Sequence, residues 1–375
     1  MSQSKKSRPE KKILRLHVPG LPHTMINSDY CWCAYTQKIR RFIDNMKSCG
    51  HIVFSYDGPE YSNCICDPKS QTDVVSWDSS HPWWTYMAKR VASKILLQLE
   101  DEDIICLIST SQLPIYDCVK TLKKITAVEY GIGYCAFAAP YACFESYTWK
   151  QAVYASIGKG AYNANIRDLD AVIYNCYDEE ELDPKFIENH QYDKSELSNE
   201  IQEVMKGKYF FFIGRNILRK GIKIAVEISK RMKIPLIIAG QKTKEYELPN
   251  ISGIYHAGIV KGLDKAKLFH YAIATLVPTI YLAPWEGVHA ESLLCGTPVI
   301  TTDQGAFSET VENGINGWRC PVVIEAFLQA CDSLIKNPLN KEKIAESAKG
   351  KFHANIIKYQ YERWLYAVHA DAFKK

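Results

Sequence analysis

Residues 210–230 read FFFIGRNILRKGIKIAVEISK. An apolar run of strand type is followed by Gly214, Arg215, a four-residue gap, Lys220 and Gly221, and then by an amphipathic helix over Ile222–Met232. Strand, short loop and helix in that order are half of a βαβ unit, and the second strand follows at once at Leu236–Ala239. Further strands are expected near Ile254–His256, Leu276–Pro278 and Val299–Thr301. Such alternation implies a parallel sheet with helices on both faces.

The same rhythm runs through the first half of the chain. Ile13–Val18 reads as a strand ending in Pro19-Gly20, then comes a polar loop, then an amphipathic stretch over Ala34–Lys47. Strands are expected at His51–Tyr56, Ile104–Ser109, Thr126–Glu129 and Ala171–Tyr174, with helical segments such as Met87–Leu99 between them. Residues 177–208 are highly polar and punctuated by Asp183-Pro184 and Gly207, which places a linker at 179–207. The expected organisation is a basic tail over 1–12, a Rossmann-like domain over 13–178, the linker, a second Rossmann-like domain over 208–358, and a final helix over 359–375 that returns to the first domain. Two doubly wound domains would face each other across a cleft, because open α/β sheets bind ligands at the carboxyl ends of their strands.

Composition narrows the function. The 375 residues are 47% hydrophobic, enough for a sizeable core, and the net charge of +4 arises entirely in the first twelve residues, from Lys5, Lys6, Arg8, Lys11 and Lys12 against Glu10. The rest of the chain is balanced, which argues against nucleic acid as a partner. The tail reads as a solvated leader, or as weakly attracted to an anionic membrane surface. No apolar run approaches the roughly 18 residues of a membrane span, and no signal-peptide core follows the charged start. Thirteen cysteines, an odd number, read as reduced thiols of a cytoplasmic protein. Cys31/Cys33 and Cys64/Cys66 have C-x-C spacing with no histidine at finger distance, and no metal site is expected.

Two cations leaving the end of one strand suit a diphosphate, which needs several donors and charge neutralisation together, although a solvated basic loop would look the same in isolation. Residues 281–318, YLAPWEGVHAESLLCGTPVITTDQGAFSETVENGINGW, add Gly287 ahead of a helix carrying Glu291 and Gly296-Thr-Pro298 leading into a buried strand. Together with GRNILRKG, this resembles the carboxyl-terminal half of GT-B glycosyltransferases of family 4, over roughly residues 209–320. The amino-terminal half, with HVPGLPHT, CAYTQK, VEYGIGY and FESYTW, is similar to a subset found in bacteria, phages and large DNA viruses.

The resemblance implies that Arg215 and Lys220 bind the donor diphosphate and stabilise charge on the leaving phosphate. It implies that Glu291 is the second glutamate of the E-x7-E motif, accepting from ribose hydroxyls, and that Gly214, Gly287, Val288 and His289 lie at the phosphates, the last three through backbone amides at a helix start. Val260, in HAGIV, corresponds to the stretch that packs the base. Two positions depart from the pattern: Ala283 stands where the first glutamate belongs, and Glu286 occupies the usual glycine position. Either the donor sugar carries fewer hydroxyls there, or Glu286 supplies the acceptor. In the first half, Gly20 and His23 follow the first strand, and Glu129 leaves another toward the same cleft; His23 and Glu129 are catalytic candidates or structural residues. The clusters His81–Trp84 and Phe144–Trp149 are core, interface or a sugar-stacking surface.

The expected activity is transfer of a sugar from a nucleotide-diphosphate donor to a glycan or other hydroxyl acceptor, with retention of configuration and with no cofactor or metal. The alternatives are a nucleotide-sugar-binding protein without transferase activity and a sugar-nucleotide epimerase of the same fold.

Overall fold

The computed structural model describes residues 11–30, 33–58, 60, 81–158, 165–178 and 180–374. Most of the basic tail, Cys31 and the Cys64/Cys66 pair lie outside them. Among the described residues every cysteine is a free thiol, and no helix is long and apolar enough to cross a membrane.

The described residues form two six-stranded sheets. In the first, β1 (Arg15–Pro19), β2 (Ile52–Tyr56), β3 (Ile104–Leu107), β4 (Thr126–Ile132), β5 (Tyr141–Phe144) and β6 (Ala171–Val172) stand in the order β2-β1-β3-β4-β5-β6. In the second, β7 (Phe210–Ile213), β8 (Leu236–Ala239), β9 (Ile254–Gly258), β10 (Ala274–Val277), β11 (Val299–Thr302) and β12 (Gly317–Cys320) stand in the order β12-β11-β10-β7-β8-β9. The strands are paired in parallel, with registers such as Phe210↔Leu236 and Ala274↔Phe210. This is the doubly wound α/β class expected above. The chain reverses its direction of growth between β1 and β3 in one sheet and between β7 and β10 in the other, so each sheet has a switch point where two neighbouring strands send their loops apart.

By contacts the chain divides into two compact units. The first comprises Met1–Tyr130, Phe137–Ala142 and Lys358–Lys375. Its central strands are buried along their length, as parallel strands covered on both faces must be. Phe42, on the helix Ala34–Ser48, stacks on Tyr130 at 4.1 Å between ring centroids, and Tyr361 of the final helix meets Phe42 edge-on at 5.2 Å. A polar network crosses the base of the sheet: His17 bonds to Tyr56 Oη at 2.8 Å and to Asp103 at 2.9 Å, and Arg15 Nε donates to Asp103 at 2.8 Å. Of the aromatic cluster at 81–84, His81 caps the helix Pro82–Leu96 by accepting from the Trp83 amide, and Trp84 is buried.

The second unit comprises Gly131–Ala136 and Cys143–Ile357. The stretch 179–207, expected as a linker, belongs to it. Leu182, Ile187, Leu197 and Ile201 are buried in the same core as Phe211, Ile237 and Phe269. The polar composition is real, but it sits on the outer faces of two short helices, Pro184–Asn189 and Asn199–Met205. Phe210 and Phe212 point to the opposite face, against Ile222, Ala225 and Phe327, which is the alternation a strand imposes.

Candidate functional site

β7 ends at Ile213, and the next residues are shaped by backbone crowding. A Cβ on Gly240 would lie 2.2 Å from the Gly214 carbonyl oxygen, so the loops after β7 and β8 touch main chain to main chain. Gly221 has φ +79°, and a Cβ there would lie 1.9 Å from the Pro278 carbonyl oxygen. Only glycine fits, because it combines a left-handed conformation with this close approach. The result is that Lys220 leaves a single helical turn, Leu218–Lys220, directly beside the exit of β10. That is the switch point of the second sheet.

What meets Lys220 there is Glu286. The ammonium lies 2.6 and 2.5 Å from the two carboxylate oxygens and 3.2 Å from Tyr281 Oη, while Tyr281 donates to Glu286 at 2.8 Å. Burial pushes the ammonium down, and Glu286 and Tyr281 more than offset it, so Lys220 holds its proton above the usual lysine range. The phenol of Tyr281 is pushed up by burial and by the same carboxylate. Arg219 adds a second cation over the Tyr281 ring at 5.3 Å. Arg215 is half-buried one turn before Lys220.

Glu286 also caps the helix Gly287–Leu294 through its carbonyl, which accepts from the His289 amide at 3.2 Å and from His289 Nδ1–H. The His289 ring is fully buried against Trp285, Phe307 and Phe352, and burial pushes its pKa down to about 4. His289, expected to offer its amide to a phosphate, therefore has that amide engaged within the turn. Gly287 and Val288 carry the first-turn N–H groups, which have no intrahelical acceptor. A side chain at Gly287 would meet Tyr177 Oη at 2.9 Å.

One turn along, Glu291 pairs with Lys265 at 3.0 Å. Val260 is partly buried against the core. Ala283 is 2% exposed, and its carbonyl accepts from the Ala306 amide while Gly305, at φ +59°, packs onto it.

In the first unit, Gly20 donates to the Tyr56 carbonyl at 2.7 Å, and Gln112 Nε2 donates to the Gly20 carbonyl at 2.6 Å, tying the β1 and β3 loops at that sheet's switch point. His23 is buried in the same loop. Glu129 is fully buried, and one of its oxygens accepts from the amides of Ala138 at 2.9 Å and Ala139 at 3.2 Å. Its carboxylate therefore braces the loop after β4. Tyr281 and Lys265, the partners of Glu286 and Glu291, carry no signal in the sequence beyond position within the quoted segment or on a helix of ordinary composition.

Residues 193–351 match the family model of glycosyl transferases group 1. An uncharacterized glycosyltransferase of Methanocaldococcus jannaschii is 27% identical over 154 residues, 38% of this chain and 39% of that protein. The alpha-1,3/1,6-mannosyltransferase ALG2 of Dictyostelium discoideum is 24% identical over 232 residues, 52% of this chain and 53% of that one. The chain thus spans about half or less of the length of these curated relatives. The crystal structure of Anabaena HepE in complex with UDP and glucose superposes with a TM-score of 0.65 at 14% identity, covering 94% of this chain and all of that one. The likeness establishes a GT-B fold.

Proposed function

We propose that the chain transfers a sugar from a nucleotide-diphosphate donor to a glycan or other hydroxyl acceptor, with retention and without a metal. The observation that carries this reading is the placement of Lys220 at the β7/β10 switch point, within the segment that matches the group 1 glycosyltransferases. A diphosphate leaving a sugar gains a negative charge, and preorganised cations stabilise that charge more in the transition state than in the ground state. Arg215 and Lys220 supply the cations, the Gly287 and Val288 amides add first-turn donors, and Glu291 accepts from the ribose. The family 4 assignment and the hexosyl or pentosyl class of donor belong to this proposal.

A second reading, a nucleotide-sugar-binding protein without transferase chemistry, is favoured by two observations: Ala283 in place of a carboxylate, and a Lys220 whose charge is already matched by Glu286. The deciding experiment incubates the protein with UDP-, GDP-, ADP- and dTDP-sugars and a glycan acceptor panel, with and without excess EDTA, and identifies products by mass spectrometry. UDP-sugars come first because HepE was crystallised with UDP and glucose. A mass increment of one sugar on an acceptor, retained in EDTA, supports transfer. Tight nucleotide binding with no product from any donor supports the second reading.

A further inference from the structure

A cavity of about 560 Å³ lies in the second unit beneath the loop that follows β8, against β9. None of the residues assigned above to the donor lines it. Asn216 does, and it is 1% exposed with its Oδ1 lacking a hydrogen-bond partner. His256 does as well, and its Nε2 is buried and without a partner. The Gly258 amide donates to His256 Nδ1 at 3.1 Å, so the ring proton is on Nε2. The cavity thus presents one unused acceptor and one unused donor, where buried polar groups are ordinarily satisfied.

The wall that carries them is built rather than slack. The Asn216 amide donates to the Gln241 carbonyl at 3.0 Å, Thr243 Oγ1 donates to the Asn216 carbonyl at 2.5 Å, and Glu245 accepts from the Leu218 amide at 2.9 Å. Lys242 and Lys244 line the same cavity, with Glu247 as the lining residue of opposite charge, and Tyr246 contributes an aromatic surface.

We propose that this cavity is a second ligand site, separate from the donor site, for an anionic pyranose. Adjacent ring hydroxyls, each both donor and acceptor, would give a proton to Asn216 Oδ1 and take one from His256 Nε2–H. Tyr246 would pack on the apolar face of the ring, and the two lysines would meet a carboxylate or phosphate on the sugar. The proposal is independent of whether transfer occurs, because its readout is binding.

The test is calorimetric titration of the full chain with glucuronate, glucose 6-phosphate, neutral glucose and UMP, repeated in the presence of saturating UDP. Saturable binding of an anionic sugar, undiminished by UDP, is expected; preference between glucuronate and glucose 6-phosphate identifies carboxylate or phosphate as the charge. Lys242→Ser with Lys244→Ser, a change at exposed side chains, should weaken the anionic sugars tenfold or more and leave neutral glucose and UDP unaffected. His256→Leu should weaken all sugars alike. No saturable sugar binding, displacement by UDP, binding of UMP in preference to every sugar, or indifference to the lysine pair would each overturn the assignment.

Discussion

Lys220 and Glu286 form an almost buried ion pair in which both carboxylate oxygens touch one ammonium, at 2.6 and 2.5 Å, with the side chains 19% and 6% exposed. Sixty-six residues apart in sequence, they join the exits of the two strands that flank the second sheet's switch point. Removing one partner leaves the other charge uncompensated, so Glu286→Leu should destabilise the protein by about 2–4 kcal/mol in urea unfolding. Adding Lys220→Met should recover most of that loss, and a double-mutant cycle with no coupling would refute the pairing. Because the folded ammonium is held above the usual range, the stability it contributes is complete below the unfolded value of roughly 10.4 and is lost as pH rises through the folded one. The difference between wild type and Glu286→Leu should therefore be flat through neutral pH and shrink only in strong alkali.

Arg215→Ala and Lys220→Ala should each lower kcat/KM by the equivalent of about 2–4 kcal/mol, as for loss of one preorganised contact to developing charge. Near-normal kcat/KM in both variants would remove them from the diphosphate site. Activity abolished by EDTA and restored by Mg2+ or Mn2+ would show that a metal neutralises the leaving group instead.

Glu291→Gln should weaken binding of the free nucleoside diphosphate as well as of the intact donor, since the proposed contact is to ribose and not to the transferred sugar. The amide keeps the shape but gives up half the acceptor capacity. The Lys265 pair would be weakened in the same variant; Lys265→Met separates the two effects, because it removes the pair and leaves the carboxylate. Unchanged calorimetric affinity in Glu291→Gln for every nucleotide the wild type binds would return Glu291 to the role of an ordinary helix residue.

Position 283 offers a test of donor identity. Gly305 and Ala306 pack on the backbone of Ala283, and Glu286 is engaged by Lys220 and Tyr281. A donor lacking a hydroxyl at that place, a deoxyhexose or pentose, is therefore expected to give the higher kcat/KM. Ala283→Glu should shift preference toward a full hexose, because sites built around hydroxyls discriminate against analogues without them. A wild-type preference for the hexose would contradict this.

In the first unit, Asp103 is opposed by burial, but His17, the Glu100 amide and Arg15 together hold its carboxyl below the usual range. Its contribution is present above the unfolded value of about 3.9 and is lost as pH falls through the lower folded one. Asp103→Asn should cost about 1–3 kcal/mol at neutral pH and flatten the acid limb of the stability profile, read by denaturant midpoints from pH 2 to 7.

Much of this architecture can be read from residue order alone. The strand at Leu236–Ala239 and the helix Ile222–Met232 have the bounds that apolar spacing suggests, because a buried strand and an amphipathic helix each impose their own period. β5 and β12 were not foreseen: each is four residues long, and β12 is a half-buried edge strand carrying Arg319, so neither shows a full alternation. The polar stretch 179–207 hid four core residues because local composition averages over both faces of a short helix. At the site, Lys220 and Glu291 are visible as residue types in a pattern, whereas their partners Glu286 and Lys265 depend on loops that meet only after the sheet has formed.

The final helix carries one consequence for biosynthesis. Tyr361 completes the aromatic cluster of Phe42 and Tyr130, Tyr366 donates to the Lys12 carbonyl, and Tyr141 donates to Asp371. The first unit needs residues 358–375 to close its core, yet the ribosome delivers them only after the whole of Cys143–Ile357 has emerged. At ordinary elongation rates that delay is roughly 10–50 s. The unit that begins first is therefore the one finished last, and the surface around Phe42 must stay shielded from other nascent chains throughout the interval.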